Sequence, residues 1–423
     1  MAEFHFQSYH GSDQRRMESL LRPTDDTQVR EAVAWAASEN KPMAVLGAGS
    51  KTALGRPANL DTTMDLCKLT GVLDYEPSEL VLTARPGTSL AEIDACLREQ
   101  NQELAFEPPD LAPLLGTAPN IATLGGTIAC NLSGPRRVRV GAARDHFLGM
   151  RAINGRAEAF KAGGKVVKNV TGYDLCKLIA GSYGTLALLT EVTVKVLPRA
   201  EKTRTVLLFG LEENSAISTL SDVMASVHEP TALAHLPANI AARSSVDLVS
   251  NAGCAATAVR VEGPTPSTIF RCEKLRGDFS KLGEVEELHG QRSATFWKEV
   301  ANVTPFVTRR ELTVWRIAVA PIEAAIVTAS IGSKCNAEWY YDWAGGLIWL
   351  ATPQSDVTSN NLVRDSVASA GGQATLIRAE ANVRTVTSVF EPLPAALYKL
   401  SARVKQSFDP KGIFNPGRLY AGM

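Results

Sequence analysis

Residues 163–198 constrain this chain more than any other stretch: GGKVVKNVTGYDLCKLIAGSYGTLALLTEVTVKVLP. A Gly-Gly turn leads into Lys165-Val166-Val167-Lys168, read as a strand, and the far end alternates Val192, Val194 and Val196 with Thr193 and Lys195. Period-two alternation predicts a half-buried strand. Between them the sequence predicts a short apolar helix over 175–179 and a glycine-punctuated loop, Gly181-Ser182-Tyr183-Gly184-Thr185. Glycines so placed let backbone N–H groups approach something flat or anionic. Taken alone, a hairpin with decorated turns satisfies the same pattern, so the rest of the chain has to decide.

At 423 residues the chain has room for about two or three domains and a large core. Lys+Arg and Asp+Glu both number 44, giving no net charge, which argues against nucleic acid as the main partner. No run approaches the roughly 18 apolar residues that span a bilayer. The first residues, MAEFHFQSYHGSDQRR, have neither the basic nor the apolar region of a secretory signal, so the expected location is the cytoplasm. Seven cysteines (Cys67, Cys96, Cys130, Cys176, Cys254, Cys272, Cys335) are scattered without a C-x-x-C pair, and six histidines show no metal-ligand spacing. The expectation is idle or buried thiols, no protein-bound metal and no home for an iron–sulfur cluster.

Along the chain, residues 1–20 read as a polar N-terminal arm. Thr24 to Thr27 offers caps for a helix whose apolar face is Val29, Ala32, Val33 and Ala36. Strands are expected at 42–46, 61–66 and 80–84, and Ser89 caps a helix over 89–98. Proline and glycine crowd 107–134, which reads as ordered loop. From Glu201 strand–helix–strand units recur: strands at 206–209, 257–261, 313–320, 346–350 and 374–378, helices at 214–226, 264–282, 321–331 and 357–370. The tail is a helix followed by a Pro/Gly-bearing segment. The expected fold class is α+β, with a two-part first domain (21–200), an α+β cap domain (201–396) and a C-terminal helix and tail (397–423). No internal sequence repeat is legible.

Gly47-Ala48-Gly49-Ser50-Lys51-Thr52 follows a strand but fits neither familiar phosphate motif. The Walker loop needs Gly before Lys-Ser/Thr, where Ser50 stands, and the dinucleotide fingerprint needs a third glycine opening a helix, where Thr52 stands. What remains is a Gly-rich loop able to cradle a pyrophosphate, or a plain turn. A second element, Thr123 to Gly134 (TLGGTIACNLSG), carries paired glycines and small residues suited to backbone pressed against a planar ligand, or to a packing loop. A third spans Val167 to Leu175 with Gly181 and Gly184-Thr185-Leu186. The fourth is the tail, Phe408-Asp409-Pro410 to Asn415-Pro416-Gly417-Arg418.

In this order, the four elements resemble the FAD-binding fold of the vanillyl-alcohol oxidase / p-cresol methylhydroxylase superfamily. Within it the chain is similar to the FAD-binding subunits of bacterial glycolate oxidases (glycolate dehydrogenases), on Gly71-Val72-Leu73-Asp74-Tyr75-Glu76-Pro77, Gly371 to Arg378 and Lys405 to Pro410. The resemblance implies that Gly47, Ala48, Gly49, Ser50 and Lys51 hold the FAD pyrophosphate. It implies that Pro109, Leu124, Gly125, Gly126, Ile128, Ala129 and Gly134 wall the ribityl chain and isoalloxazine. Gly184, Ala187 and Leu188 would meet the adenine side, and Asn415 with Arg418 would close over the flavin from the tail. Because members with covalent flavin often use a histidine in the first loop, where this chain has Ser50 and Lys51, non-covalent FAD is expected.

Two further departures stand out. Related 2-hydroxy-acid dehydrogenases carry histidine-rich and acidic signatures that supply a base or bind metal; here no such cluster is legible, and Glu286-Glu287-Leu288-His289-Gly290 reads as a solvated turn. Gln373 stands where this subunit type tends to have His. No catalytic residue is assigned, and Arg378 and Arg384 are candidates for holding a carboxylate. The family's activity is the oxidation of glycolate to glyoxylate in a complex with a second FAD-binding subunit and an iron–sulfur subunit, touching the membrane only through partners at its inner face. A self-sufficient FAD dehydrogenase of another 2-hydroxy acid or alcohol, and a non-catalytic FAD-stabilised assembly subunit, remain open.

Overall fold

The computed structural model describes residues 19–165, 172–353 and 357–423. Most of the strand expected at 165–168, and the 167–171 part of the third glycine-bearing element, lie outside the described residues. So does nearly all of the expected N-terminal arm, although Ser19–Leu21 form a strand.

Two larger sheets and a two-stranded pair, Gln102–Glu103 with Leu197–Pro198, build the first half. A parallel three-stranded sheet orders Ser19–Leu21, Thr62–Asp65 and Met43–Leu46. An antiparallel five-stranded sheet runs Val72–Glu76, Val81–Ala84, Leu188–Lys195, Phe147–Ile153 and Ala159–Gly163. Helix Asp26–Ser38 covers the first sheet with the expected face, Val29, Ala32, Val33 and Ala36, all buried, and Asp25 caps it by accepting from Gln28 N at 2.9 Å. Such a cap stabilises a helix by about 1 kcal/mol. Ser89 caps Leu90–Arg98 in the same way.

The valine strand differs from a half-buried one. Leu188–Lys195 is the central strand of its sheet, and Thr193 is buried as well as Val192 and Val194. Thr193 satisfies its hydroxyl against Thr83 at 2.9 Å, while Leu188 joins Val29 and Met64 in the core of the smaller sheet. A strand between two cores has no solvent face to keep polar.

The second half holds one antiparallel eight-stranded sheet, ordered Val285–His289, Lys202–Phe209, Ala256–Gly263, Ala232–Leu236, Glu338–Asp342, Leu347–Thr352, Thr313–Ala318, Gln373–Arg378. It is a structural repeat that the sequence conceals. Each half is strand–helix–strand–strand–helix–strand with spatial order 4-1-3-2. The second strands of the two units join at His235↔Tyr341. Glu286 to His289 belongs to the edge strand of the first unit, correcting the solvated-turn reading. Leu288 faces the core, and Glu287 pairs with Arg204 at 2.8 Å.

One face of this sheet is covered by the helices of the two units. The other packs on the first half of the chain: Leu54, Leu111 and Leu132 share a core with Leu207, Val314 and Trp349. Ion pairs cross the same interface. Arg260 forks onto Glu107 at 2.7 and 2.9 Å, and Arg136 onto Glu262 at 3.0 and 2.8 Å, with Glu103 also on Arg136. Removing one partner of such a buried network costs about 3–5 kcal/mol, because it strands the other charge.

The tail returns to the beginning. After helix Ala395–Phe408, Asp409 accepts from Ile413 N and Phe414 N at 3.0 and 2.8 Å and from Lys405 Nζ at 2.6 Å. Lys405 Nζ also donates to Thr185 O and Phe414 O. So fixed, the segment adds to the edge of the smaller sheet, with Met43 N donating to Ile413 O and Asn415 N to Met43 O.

Candidate functional site

A cleft opens between the two larger sheets of the first half. Its walls are three chain segments and the tail: Val45 to Thr52, Thr123 to Cys130, Ser182 to Leu189, and Arg418.

The first wall leaves strand Met43–Leu46 as a tight loop in which Gly49 has φ +75°, a conformation glycine tolerates without strain. The amides of Ala48, Gly49, Ser50 and Lys51 donate to no protein acceptor among the described residues. Ser50 and Lys51 are both buried. The Lys51 ammonium has Ser50 Oγ, at 3.1 Å, as its hydrogen-bond partner and makes no ion pair among the described residues. Burial lowers its pKa, against the pull of the Cys130 thiol and Asp110.

The second wall corrects the loop expected over 107–134. Leu124–Cys130 is a helix, with Thr123 Oγ1 accepting from Gly126 N at 3.3 Å. Two glycines in a helix cost about 1 kcal/mol each relative to alanine, so local propensity points away from helix. Close approach requires one of them: a Cβ on Gly125 would sit 2.5 Å from Pro86 Cβ. Gly126 instead faces the cleft, where an added Cβ would lie 3.2 Å from Thr123 Oγ1 and 3.8 Å from Lys51 Nζ.

The third wall holds Tyr183 at φ +55°, its amide donating to Ala129 O at 2.8 Å and its ring edge-on to Phe390 at 4.9 Å. Burial raises the phenol pKa. The tail supplies Arg418, whose Nη2 donates to Lys51 O at 2.9 Å while its buried Nε finds no protein acceptor. Buried Ser182 Oγ, on the same lining, also lacks a partner. An unpaired buried ammonium, an orphaned guanidinium N–H and a row of undonated amides ask for an anion, while the small-residue wall beside them leaves room for a flat ring. These residues fit the diphosphate and isoalloxazine of FAD.

Of the residues expected at the site, the structure gathers Gly47, Ala48, Gly49, Ser50, Lys51, Gly125, Gly126, Ala129, Gly184, Ala187, Leu188 and Arg418 on the cleft lining. Five do not line it. Leu124 and Ile128 point into the core of the five-stranded sheet, because the inward face of their helix is on the opposite side from Gly126. Gly134 abuts Glu107 O, and Pro109 is buried away from the cleft. Asn415 spends its amide on Val45 and Tyr183, so it holds walls together. Arg378 and Arg384 are also accounted for. Arg378 donates to the carbonyls of Phe306, Arg309 and Leu312, and Arg384 to those of Gly55 and Ala379. Gln373 is exposed at the sheet edge. Sequence reasoning passed over Pro86, Thr123, Cys130 and Ile179 on the lining. Only Thr123 carried a signal, as a cap before a small-residue run.

Residues 17–163 match the FAD binding domain family. Among solved structures, p-cresol methylhydroxylase with substrate bound superposes with a TM-score of 0.70 at 13% identity, covering 95% of this chain and 88% of that one. Fold and cleft together define an FAD-linked oxidoreductase with the p-cresol methylhydroxylase architecture. Glycolate oxidase subunit GlcE of Escherichia coli (strain K12) is 36% identical over 95% of this chain and 99% of its own length. Glycolate oxidase subunit GlcD of Bacillus subtilis (strain 168) is 27% identical over 52% of this chain and 45% of its own. The chain belongs to the GlcE family of glycolate oxidase subunits.

Proposed function

We propose that this chain is the FAD-binding subunit of a complex that oxidises glycolate to glyoxylate and hands the electrons to an iron–sulfur subunit, with a second FAD-binding subunit alongside. The observation that carries the reading is the cleft itself, where among the described residues Lys51 has no ion pair and Arg418 Nε and the 48–51 amides find no protein acceptor, in a chain similar to GlcE over nearly its whole length. Bound FAD supplies the two-electron acceptor for a carbinol.

The chain's own residues do the holding. Lys51 and the amides of 48–51 take the diphosphate, Gly126 and Ala129 give the flat wall, and Ala187 and Leu188 close the adenine side. Tyr183, backed edge-on by Phe390, and Arg418 line the cleft beside them. No histidine stands in the first loop, so FAD is retained by contacts alone. The seven scattered cysteines provide no closely spaced thiolates, so onward electron transfer is assigned to a partner. No helix among the described residues is long and apolar enough to cross a membrane; the proposed location is the cytoplasm, reaching the inner face of the membrane through partners. Domain limits at 21–200, 201–396 and 397–423 are part of this proposal.

The test is glycolate-dependent dye reduction by the purified chain and by the complex reconstituted with its two partner subunits. Full activity only in the complex is expected. Equal activity of the lone chain would favour a self-sufficient dehydrogenase, and flavin in the complex that glycolate never reduces would leave an assembly role.

A further inference from the structure

Most of the buried arginines between the eight-stranded sheet and the first half are spent among the described residues. Arg136 and Arg260 fork onto glutamates, Arg243 onto Glu338 at 2.8 Å, and Arg378 and Arg384 onto carbonyls. The guanidinium groups of Arg316 and Arg137 make no hydrogen bond or ion pair among the described residues. Both lie over the indole of Trp343, at 5.0 and 4.4 Å from its centroid. Arg316 stands on strand Thr313–Ala318, opposite Trp349, on the sheet face turned toward the first half of the chain. Arg137 opens the short helix Arg137–Val140 from the other side. Burial lowers the pKa of both: Arg316 falls to about 10, with Arg137 adding to the fall, and at Arg137 the Arg144 guanidinium adds to it against Asp145. A half-buried pair of like charges is unfavourable unless an anion joins it.

Three further features converge here. Trp343 is fixed from both halves, its Nε1 donating to Gly134 O at 3.1 Å and its own N to Asp342 Oδ1 at 2.7 Å. Trp343, Ala344 and Gly345 have φ of +53°, +55° and +95°, and Tyr183 has +55°. Consecutive left-handed non-glycine residues are strained, and such strain collects at functional sites. Tyr183 is the link: it lines the flavin cleft, packs in the same core as Trp343, and has Arg316 among its charged neighbours. Asp342 acts on Arg316 without an ion pair, its own pKa pushed up by burial to about 7, and one carboxyl does not balance two guanidiniums.

We propose that Arg316 and Arg137, gathered over Trp343 beside the Tyr183 wall of the cleft, bind the carboxylate of a small hydroxy acid. Two guanidiniums match a carboxylate, and the indole offers an apolar floor for the short carbon unit attached to it. This assignment rests on the hydroxy-acid reading above, and places substrate recognition in this chain and not solely in a partner.

The test uses the FAD-loaded chain, titrated with glycolate, with oxalate and with neutral ethylene glycol, following flavin absorbance and tryptophan fluorescence. Both carboxylates are expected to bind and ethylene glycol not. Arg316→Met should weaken carboxylate binding about 10- to 100-fold, as loss of a charge-assisted contact does, with flavin content unchanged. Arg316→Lys should recover part of it, and Arg137→Met should act in the same direction. Unchanged affinity in Arg316→Met, or no carboxylate binding by the native chain, overturns the site. Arg316-dependent binding in a chain and complex whose flavin glycolate never reduces would sink the oxidation reading while the site stands. Reduction by glycolate with the same KM in native and Arg316→Met protein would do the reverse.

Discussion

Asn415 pairs with Val45 as a neighbouring strand would: its Oδ1 accepts from Val45 N at 2.9 Å and its Nδ2 donates to Val45 O at 3.2 Å. The same Nδ2 donates to Tyr183 O at 2.9 Å. One side chain from the tail thus ties together the first and third walls of the cleft. Its backbone, at φ +42°, takes the left-handed conformation asparagine tolerates best among non-glycine residues.

Asn415→Ala should therefore lower stability by roughly 2–3 kcal/mol, at about 1 kcal/mol for each hydrogen bond lost. FAD retention should fall with it. Chemical denaturation and flavin content after desalting check this. A variant that keeps native stability and all its flavin would show the tie to be dispensable.

The two glycines of helix Leu124–Cys130 should fail differently. Gly125→Val forces a branched side chain onto Pro86, whose Cβ lies 2.5 Å from the new Cβ position, so soluble folded protein should be lost. Gly126→Val should fold, with an unchanged far-ultraviolet spectrum, yet carry little flavin, because its side chain enters the cleft. Gly49→Val should also lose flavin, through strain at φ +75° and displaced amides. Equal flavin content in Gly126→Val and the native chain would remove this wall from the site.

Acid or heat precipitation of the yellow chain should release intact FAD to the supernatant. The reason is chemical: the first loop offers Ser50 and Lys51 where covalent relatives often have histidine. Flavin pelleting with the protein would contradict it.

Asp342 should make stability depend on pH. Burial raises its pKa to about 7, with Glu107 adding to the rise, and Trp343 N–H, Arg260 and Arg316 opposing it. The folded state then holds a proton that the unfolded chain has released, so stability falls as pH rises from about 4 through about 7. Asp342→Asn keeps an acceptor for Trp343 N and removes the ionisation. It should flatten that slope and gain on the order of a few kcal/mol at pH 8 relative to the native chain. Melting temperatures at pH 5 and pH 8 decide; parallel losses in both proteins would mean that Asp342 titrates normally.

Local patterning alone determined several of the helices and much of the strand set. The faces of Asp26–Ser38 and Leu90–Arg98 are written in period and caps, and turn residues mark where strands must end. The Gly47–Lys51 loop and the Gly126 wall were legible too, because glycine and small residues have few other uses at such density. The tertiary structure decided what rests on distance. Helix Leu124–Cys130 exists despite its glycines because it packs on Pro86, and the doubled strand–helix unit emerges only when His235 meets Tyr341. Leu124 and Ile128 were assigned to the flavin and belong to a core, because residues four apart share one helix face and Gly126, two from each, lies on the other. Asn415 was assigned to the cofactor and serves Val45 and Tyr183. Arg378 and Arg316 are alike in sequence; only the fold surrounds one with carbonyls and leaves the other without a counter-ion. Whether a charge is spent is a property of its neighbours in space, and those come from segments hundreds of residues apart.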